Sequence, residues 1–407
     1  MYCIYVNWGI DYYICINNLC MFHRNIGVLL REYASEFRSI AVVGPRQSGK
    51  STLVKTVFIE KPYVTLEDID IRKFAETDTR GFLNQFPNGA VIDEVQRVPE
   101  ILNYLQNIID TRNEDGLFVL TGSNQFLLQD NISQTLAGRI GFIDLYPLTM
   151  SEITPEFKDH LDMKDIIFRG FYPEVIYKHR NPRVWFENYI RTYLERDVKL
   201  LKNIDNIMLF MKFVKLCAGR TGQIVNYQSL SIEAGVDFKT VQSWLGILQN
   251  SFIIKLIQPY YSNFNKRTIK APKLYFIDTG LACNLLGLRH AKELDNYHSW
   301  GALFENFIIM EFYKNIANLG LNYPLYYWRD SNGIEIDLMI DKGTDFIPIE
   351  IKAGQTFQKD FTKNIKKIQE ISLSKNKGYV VYQGDFELTD GDKIDIINYN
   401  NLAKILA

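Results

Sequence analysis

Cysteine is scarce in this sequence: Cys3, Cys15, Cys20, Cys217 and Cys283 are the only five in 407 residues. They form no CxxC pair and have no histidine-rich segment beside them, so neither a zinc site nor a disulfide framework is expected, and a reducing, cytoplasmic setting fits. Long apolar runs are missing too. No stretch reaches the roughly 18 apolar residues of a membrane span, and residues 1–20 lack a basic start and a small-residue cleavage site. No membrane partner or signal peptide is expected. Excess charge is absent, with 46 Lys+Arg against 47 Asp+Glu, so any contact with nucleic acid has to come from a local patch. What is present, 47% apolar and 23% charged residues, excludes disorder and collagen-like repeats. At roughly 100–200 residues per domain, the length allows two to four domains.

The opening stretch MYCIYVNWGIDYYICINNLC holds three of the five cysteines and joins poorly to the amphipathic segment after Met21. It reads either as a translated upstream region, with Met21 as the start, or as an extra strand on the first domain.

The strongest signal follows the apolar run Ser39-Ile40-Ala41-Val42-Val43, which reads as a buried parallel strand. Next come Gly44-Pro45-Arg46-Gln47-Ser48-Gly49-Lys50-Ser51-Thr52, a full GxxxxGK[ST] match, and then Leu53, Val54 and Val57 at helical spacing. Glycines at both ends let backbone N–H groups curl around phosphate oxygens at a helix N-terminus. Lys50 supplies a point charge to the β- and γ-phosphates of ATP, and the Ser51 hydroxyl a ligand to Mg²⁺.

Hydrolysis also needs a carboxylate for the metal and a base for water. Gly89-Ala90-Val91-Ile92-Asp93-Glu94 supplies both, with Asp93 on Mg²⁺ and Glu94 polarising the attacking water. Tyr63-Val64-Thr65-Leu66 and Gly116-Leu117-Phe118-Val119-Leu120-Thr121 read as further strands, the arrangement of the additional-strand, catalytic-glutamate P-loop ATPases. Thr121, Ser123 and Asn124 then fall where that class senses the γ-phosphate.

The segments GPRQSGKSTL, AVIDEVQRVPEIL, LTGSNQFLL and LAGRIGFIDLYPLTMSE resemble the prokaryotic AAA+-type ATPases that carry a C-terminal endonuclease-like domain. The similarity covers nearly the whole chain after Met21. It implies an arginine at the γ-phosphate, from the same or a neighbouring subunit of a homo-oligomer. Arg139 of LAGR is the first candidate and Arg46 the second. Ser51 replaces the family's usual threonine and keeps the hydroxyl.

Residues 151–205 read as a helical lid. Asn226–Ala234, Gly235 and Phe238–Leu248 then give a helix-turn-helix with Asp237 as N-cap, a buried stripe of Phe238, Val241, Leu245 and Leu248, and an open face of Lys239, Thr240, Gln242 and Ser243. A strand pair follows whose connection carries Lys266, Arg267 and Lys270, so the unit resembles a winged helix. Its basic wing points to DNA phosphates. The alternative is a protein-docking hairpin.

In the last segment, Glu305 lies on an apolar helix and requires a partner. Glu335 and Asp337 share one face of a strand, and Glu350 and Lys352 share one face of the next. This is the arrangement of the PD-(D/E)xK nucleases: Asp337, Glu350 and Glu305 as Mg²⁺ ligands, Lys352 acting on the nucleophile or the developing charge. The expected fold is therefore α/β. An uncertain extension (1–20) precedes a P-loop parallel sheet (21–150), a helical lid (151–205), a winged helix (206–290) and a restriction-endonuclease-like domain (291–407). The expected function is Mg²⁺-dependent ATP hydrolysis coupled to a DNA-related activity. The alternative is a nucleotide-switched signalling or toxin–antitoxin-like interaction protein whose nuclease fold is silent.

Overall fold

The computed structural model describes residues 4–6, 12–16, 19–20, 23–123, 136, 138–154, 157, 161–194, 204, 206–260, 270–331, 333–343, 345–372, 376–391 and 393–406. The chain divides into two compact units, Met1–Lys158 with Asn318–Gly320, and Asp159–Ala317 with Leu321–Ala407.

In the first unit, β1 (Ile4–Val6), β2 (Tyr12–Ile16) and β3 (Leu19–Cys20) form a small antiparallel sheet of their own. They add no strand to the main sheet, which is parallel and comprises β4 (Ser39–Val43), β5 (Tyr63–Thr65), β6 (Ala90–Asp93), β7 (Phe118–Gly122) and β8 (Ile140–Asp144). Its order is β5-β6-β7-β4-β8. A parallel sheet is covered on both faces, which is why β4, β6 and β7 are mostly apolar and buried at every residue. Strand β7 lies between the lysine strand β4 and the acid strand β6, whereas β5, which falls between those two in sequence, is an edge strand. The edge strand β8 did not stand out in the sequence, because its Ile140-Gly141-Phe142-Ile143-Asp144 is only partly buried. The helix Lys50–Val57 lays Leu53, Val54 and Val57 on Ile40, Val42, Val91, Val119 and Ile143. Each such side chain contributes roughly 1.5–3 kcal/mol by leaving water. Packing thus fixes the loop between β4 and this helix at the C-terminal edge of the sheet.

The second unit is built on a mixed eight-stranded sheet of β9 (Ile254–Pro259), β10 (Lys273–Phe276), β11 (Leu325–Arg329), β12 (Glu335–Asp341), β13 (Phe346–Lys352), β14 (Gly378–Tyr382), β15 (Leu388–Asp390) and β16 (Ile394–Asn398). The order is β10-β9-β11-β12-β13-β14-β16-β15. The expected strand pair β9/β10 is antiparallel, and β9 also pairs with β11 in parallel, Gln258 opposite Tyr326. The boundary expected at 290/291 therefore does not interrupt the sheet. Nor do the helices read as a lid stand apart. Met163–Arg169, Pro173–Tyr177 and Pro182–Tyr189 belong to this unit, tied in by the Phe171 N–H donating to Asp278 (2.7 Å).

The helix-turn-helix is present as Tyr227–Ala234 and Phe238–Asn250, with the Asp237 side chain accepting from the Thr240 N–H and Gly235 at φ 78° in the turn. One expected core residue is not in the core. Phe238 is 48% exposed, because it opens the helix and leans on the Tyr227 ring instead. Trp244 and Ile247 are buried with Val241, Leu245 and Leu248. Lys266 and Arg267 lie outside the described residues. Cys217 and Cys283 are buried free thiols whose pKa values burial pushes up. No helix of the described residues is long and apolar enough to cross a membrane.

Candidate functional site

The loop after β4 closes tightly on the chain beyond β8. A Cβ on Gly44 would lie 2.1 Å from the Leu145 carbonyl oxygen, and Gly49 takes φ 95°, a left-handed value glycine adopts freely. Lys50 is buried, and its Nζ donates to the Gly44 and Pro45 carbonyls (2.9 Å each). Burial lowers its pKa to about 8, with Glu94 and Asp93 pulling it back up and Arg46 pressing it down. Ser48 and Pro45 are buried in the loop, Gln47 is exposed at φ 62°, and Thr52 faces outward from the first helical turn.

Asp93, at the end of β6, gathers three hydroxyls. Ser51 donates to its Oδ2 (2.8 Å), Tyr63 from β5 donates to the same oxygen, and Thr121 from β7 donates to Oδ1. Burial, and then Asp93 itself, hold the Tyr63 hydroxyl well above its usual pKa. Lys55 lies 3.7 Å from the centre of the Tyr63 ring. Glu94 has φ 60°, an unfavourable backbone state outside glycine, of the kind that persists where surrounding structure enforces it. Here Thr121 Oγ1 accepts the Glu94 N–H (3.1 Å), while Gln96 and Ser123 (3.4 Å) donate to the Glu94 carboxylate. Ser51 and Asp93 therefore meet, and Glu94 is held beside them. An oxygen pair on one carboxylate with an adjacent hydroxyl fits Mg²⁺, a cation that takes oxygen ligands.

Arg139 sits elsewhere. It precedes β8, its carbonyl accepts from Ser39 at the start of β4, and its side chain pairs with Asp110. The loop leaves β4 from the opposite end, roughly 13 Å away at 3.3 Å per residue, so Arg139 does not serve the phosphate site of its own chain. Arg46 lies in the loop. Asn124 is outside the described residues.

In the second unit the structure brings Glu305, Glu335, Asp337, Glu350 and Lys352 to one region, with a residue the sequence had not marked. Lys273 of β10, 3% exposed, pairs with Glu305 (3.0 Å) and with Glu335. Tyr275 also donates to Glu305, and Arg329 pairs with Glu335 (3.1 Å). Lys352 pairs with Glu350 and Asp337 (3.7 Å), Asn364 donates to Glu350 (3.2 Å), and the Ile351 N–H donates to Asp337 (2.8 Å). Burial raises the pKa of Glu305 to about 7 against the pull of Lys273, and that of Glu350 to about 8, with Asp337 adding to the rise. Among the described residues, no group of three or more His, Cys, Asp or Glu side chains is arranged to hold a metal ion. Lysine ammonium groups hold the carboxylates expected as Mg²⁺ ligands, Lys273 on Glu305 and Lys352 on Asp337 and Glu350.

Residues 36–154 match the AAA domain family. Residues 160–292 and 300–402 match two domains of unknown function, DUF8612 and DUF4143. An uncharacterized protein of Mycobacterium tuberculosis is 27% identical over 336 residues, covering 82% of this chain and 74% of its own length. An uncharacterized protein of Haemophilus influenzae is 22% identical over 391 residues, 88% of this chain and 92% of that one. Among solved structures, the Walker-type ATPase PABY2304 of Pyrococcus abyssi aligns with 64% of this chain and 94% of its own, at 15% identity and a TM-score of 0.38.

Within the first unit, sequence reading missed Tyr63 and Gln96, both bonded to the acid pair. Tyr63 opens a short strand whose neighbour β6 could be read, but the register Thr65 opposite Asp93 was needed to bring it there. Gln96 carried a weak signal, two residues beyond Glu94.

Proposed function

We propose that the chain binds and hydrolyses ATP in the presence of Mg²⁺, and that the cycle drives an action of the second unit on DNA. The observation that supports hydrolysis over binding alone is the constrained Glu94. Its backbone is held in a left-handed state and its carboxylate by Gln96 and Ser123, next to an Asp93 already joined to the loop hydroxyl of Ser51. Ser51 and Asp93 would hold Mg²⁺, which when bound neutralises charge on the phosphates. Lys50 exchanges its two loop carbonyls for phosphate oxygens, and the loop N–H groups bind the remainder. Glu94 accepts the proton of the attacking water, and Ser123 with Asn124 senses the terminal phosphate. Arg139, remote from its own loop, is assigned to the phosphates of a second copy. DNA is assigned to the open face of the helix Phe238–Asn250, where Lys239, Gln242 and Ser243 are exposed, and to the basic wing connection.

A second reading is favoured by Lys273. Its pairing with Glu305 and Glu335 supports a terminal region that is silent in phosphodiester cleavage and docks a partner when nucleotide is bound or lost.

Mg²⁺-ATP turnover and nucleotide binding test the main reading. Lys50→Ala should abolish binding, whereas Glu94→Gln should retain it and slow turnover by at least ~10²-fold, as loss of a general base does. Parental turnover in Glu94→Gln removes that residue from the chemistry.

A further inference from the structure

The ATP loop is gripped from behind by a buried arginine that precedes the AAA-matched residues. Arg24 stands just before the helix Gly27–Glu36, and its side chain is 6% exposed. Its three guanidinium nitrogens each have a separate acceptor. Nε donates to Glu152 (3.1 Å), NH1 to the Ser48 carbonyl (2.8 Å), and NH2 to the Tyr146 carbonyl (2.6 Å). Glu152 is itself fully buried, and it also accepts the N–H groups of Asn25 and Thr149 (2.8 Å each). The bonds join positions 24 to 128 residues apart in sequence, so chance adjacency along the chain does not account for them.

The bond to Ser48 bears on the nucleotide because of peptide geometry. The carbonyl of Ser48 and the N–H of Gly49 belong to one planar trans peptide and point in opposite directions. A guanidinium that draws the carbonyl toward Arg24 therefore turns the Gly49 N–H away from it, toward the other side of the loop. A charge-assisted bond to the carbonyl also polarises the peptide and strengthens its N–H as a donor. The second carbonyl, Tyr146, follows β8, and the same stretch closes on the loop at Gly44 through Leu145. Arg24 thus fastens the loop to the β8 exit and sets the orientation of one of its phosphate-facing amides.

We propose that Arg24, held by Glu152, is a positioning residue for nucleotide: it pre-orients the Ser48–Gly49 peptide so that the Gly49 N–H is available to a phosphate oxygen. The proposal rests on the ATP-binding reading above. A pre-oriented donor spares the ligand the cost of ordering the loop, so its loss weakens binding more than the chemical step, which belongs to Glu94.

The test compares full-length wild type, Arg24→Lys, Arg24→Ala and Lys50→Ala by titration with a fluorescent ATP analogue, steady-state turnover and melting. Arg24→Lys keeps the cation but reaches at most one of the three acceptors. It should bind nucleotide at least ~10-fold more weakly and raise KM to match, with kcat within ~3-fold of wild type. Millimolar guanidinium added to Arg24→Ala should restore part of the affinity, and urea should not. If wild type and Lys50→Ala both fail to bind, the ATP reading itself is wrong. With wild-type binding intact, three results overturn the proposal: unchanged affinity in Arg24→Lys, an equal fall in kcat and in affinity, or a variant that no longer folds, which would make Arg24 a structural residue only.

Discussion

Replacing Lys273 by Met removes a buried ammonium from between two carboxylates and leaves them unequal. Glu335 keeps Arg329 at 3.1 Å, whereas among the described residues Glu305 keeps the Tyr275 hydroxyl and no ion pair of its own. The loss therefore falls mainly on Glu305, whose side chain is 18% exposed. Breaking one side of a buried pair costs about 3–5 kcal/mol. For a unit of this size that is a fall in Tm on the order of 10 °C. Glu305 already titrates at about 7 because of burial, so at neutral pH it can take up a proton in the variant, which places the expected loss near the lower end. The double variant Lys273→Met with Glu305→Gln should recover most of it, since the amide oxygen still accepts from Tyr275 and no charge is left behind. A double-mutant cycle by urea denaturation should give a coupling of at least ~1.5 kcal/mol. Magnesium is the discriminating addition. Where Lys273 supplies the charge a cation would supply, millimolar Mg²⁺ leaves Asp93→Asn, which lacks the carboxylate of the other Mg²⁺ site, unmoved. Wild-type stability in Lys273→Met, or a rise of several degrees in the Tm of Asp93→Asn with Mg²⁺, would refute the ion-pair account and return the acids to metal binding.

Asp278 offers a pH test in the same unit. Burial raises its pKa from 3.8 to about 6 despite the Phe171 and Leu281 N–H groups it accepts. The stability this contributes is complete well below the unfolded pKa and lost as pH rises through about 6, about 2 kcal/mol of it between pH 4 and 7. Asp278→Asn should flatten that part of the curve, and parallel curves for the two proteins would show that Asp278 does not titrate there. The DNA assignment is tested by changing Lys266, Arg267 and Lys270 together to Ala. Duplex affinity should fall, and its salt dependence flatten by up to ~0.9 log unit for each phosphate these side chains neutralise; equal affinity at several salt concentrations would leave only the docking reading.

The candidate ATP site was legible because its determinants are local. A strand, a glycine-rich turn and a helix start in continuous sequence fix Gly44 to Thr52, and one apolar run ending in acid fixes Asp93 and Glu94. Asp337, Glu350 and Lys352 were found by face periodicity and Glu305 as an acid on an apolar helix, and the structure does bring them together. What that periodicity could not supply is the partner. A lysine in the apolar strand Lys273-Leu274-Tyr275-Phe276 looks like a strand terminus until the sheet order is known. The same limit hid Tyr63, and it hid Arg24, whose three acceptors lie in the loop, after β8 and in the turn at Met150–Glu152. Phe238 failed for a different reason: helical spacing assigns a face, but the first residue of a helix has no preceding turn to pack on.

The reach of Lys273 also says how the second sheet is shaped. From β10 to β12 is three strand spacings, roughly 14 Å across a flat sheet at 4.8 Å per strand. A lysine and a glutamate pointing straight out of such a sheet do not meet over that distance. Lys273 nevertheless pairs with Glu335 of β12, so the β10 end curls toward the helix that carries Glu305. Strand twist supplies part of this. A local irregularity lies on the same path: the register between β11 and β12 shifts between Tyr326 and Trp328, a feature of the kind that bends a strand and sharpens its twist. Tyr327 lies at that shift, fully buried, with the Lys273 ammonium 5.5 Å from its ring centre. The hairpin read as a wing is thus bent back to deliver a counter-ion to the acids read as a nuclease site. Cutting the chain at residue 290 would remove that lysine and the β9 partner of β11 in one step, so the helix-turn-helix and the acid cluster have to be treated as parts of a single folding unit.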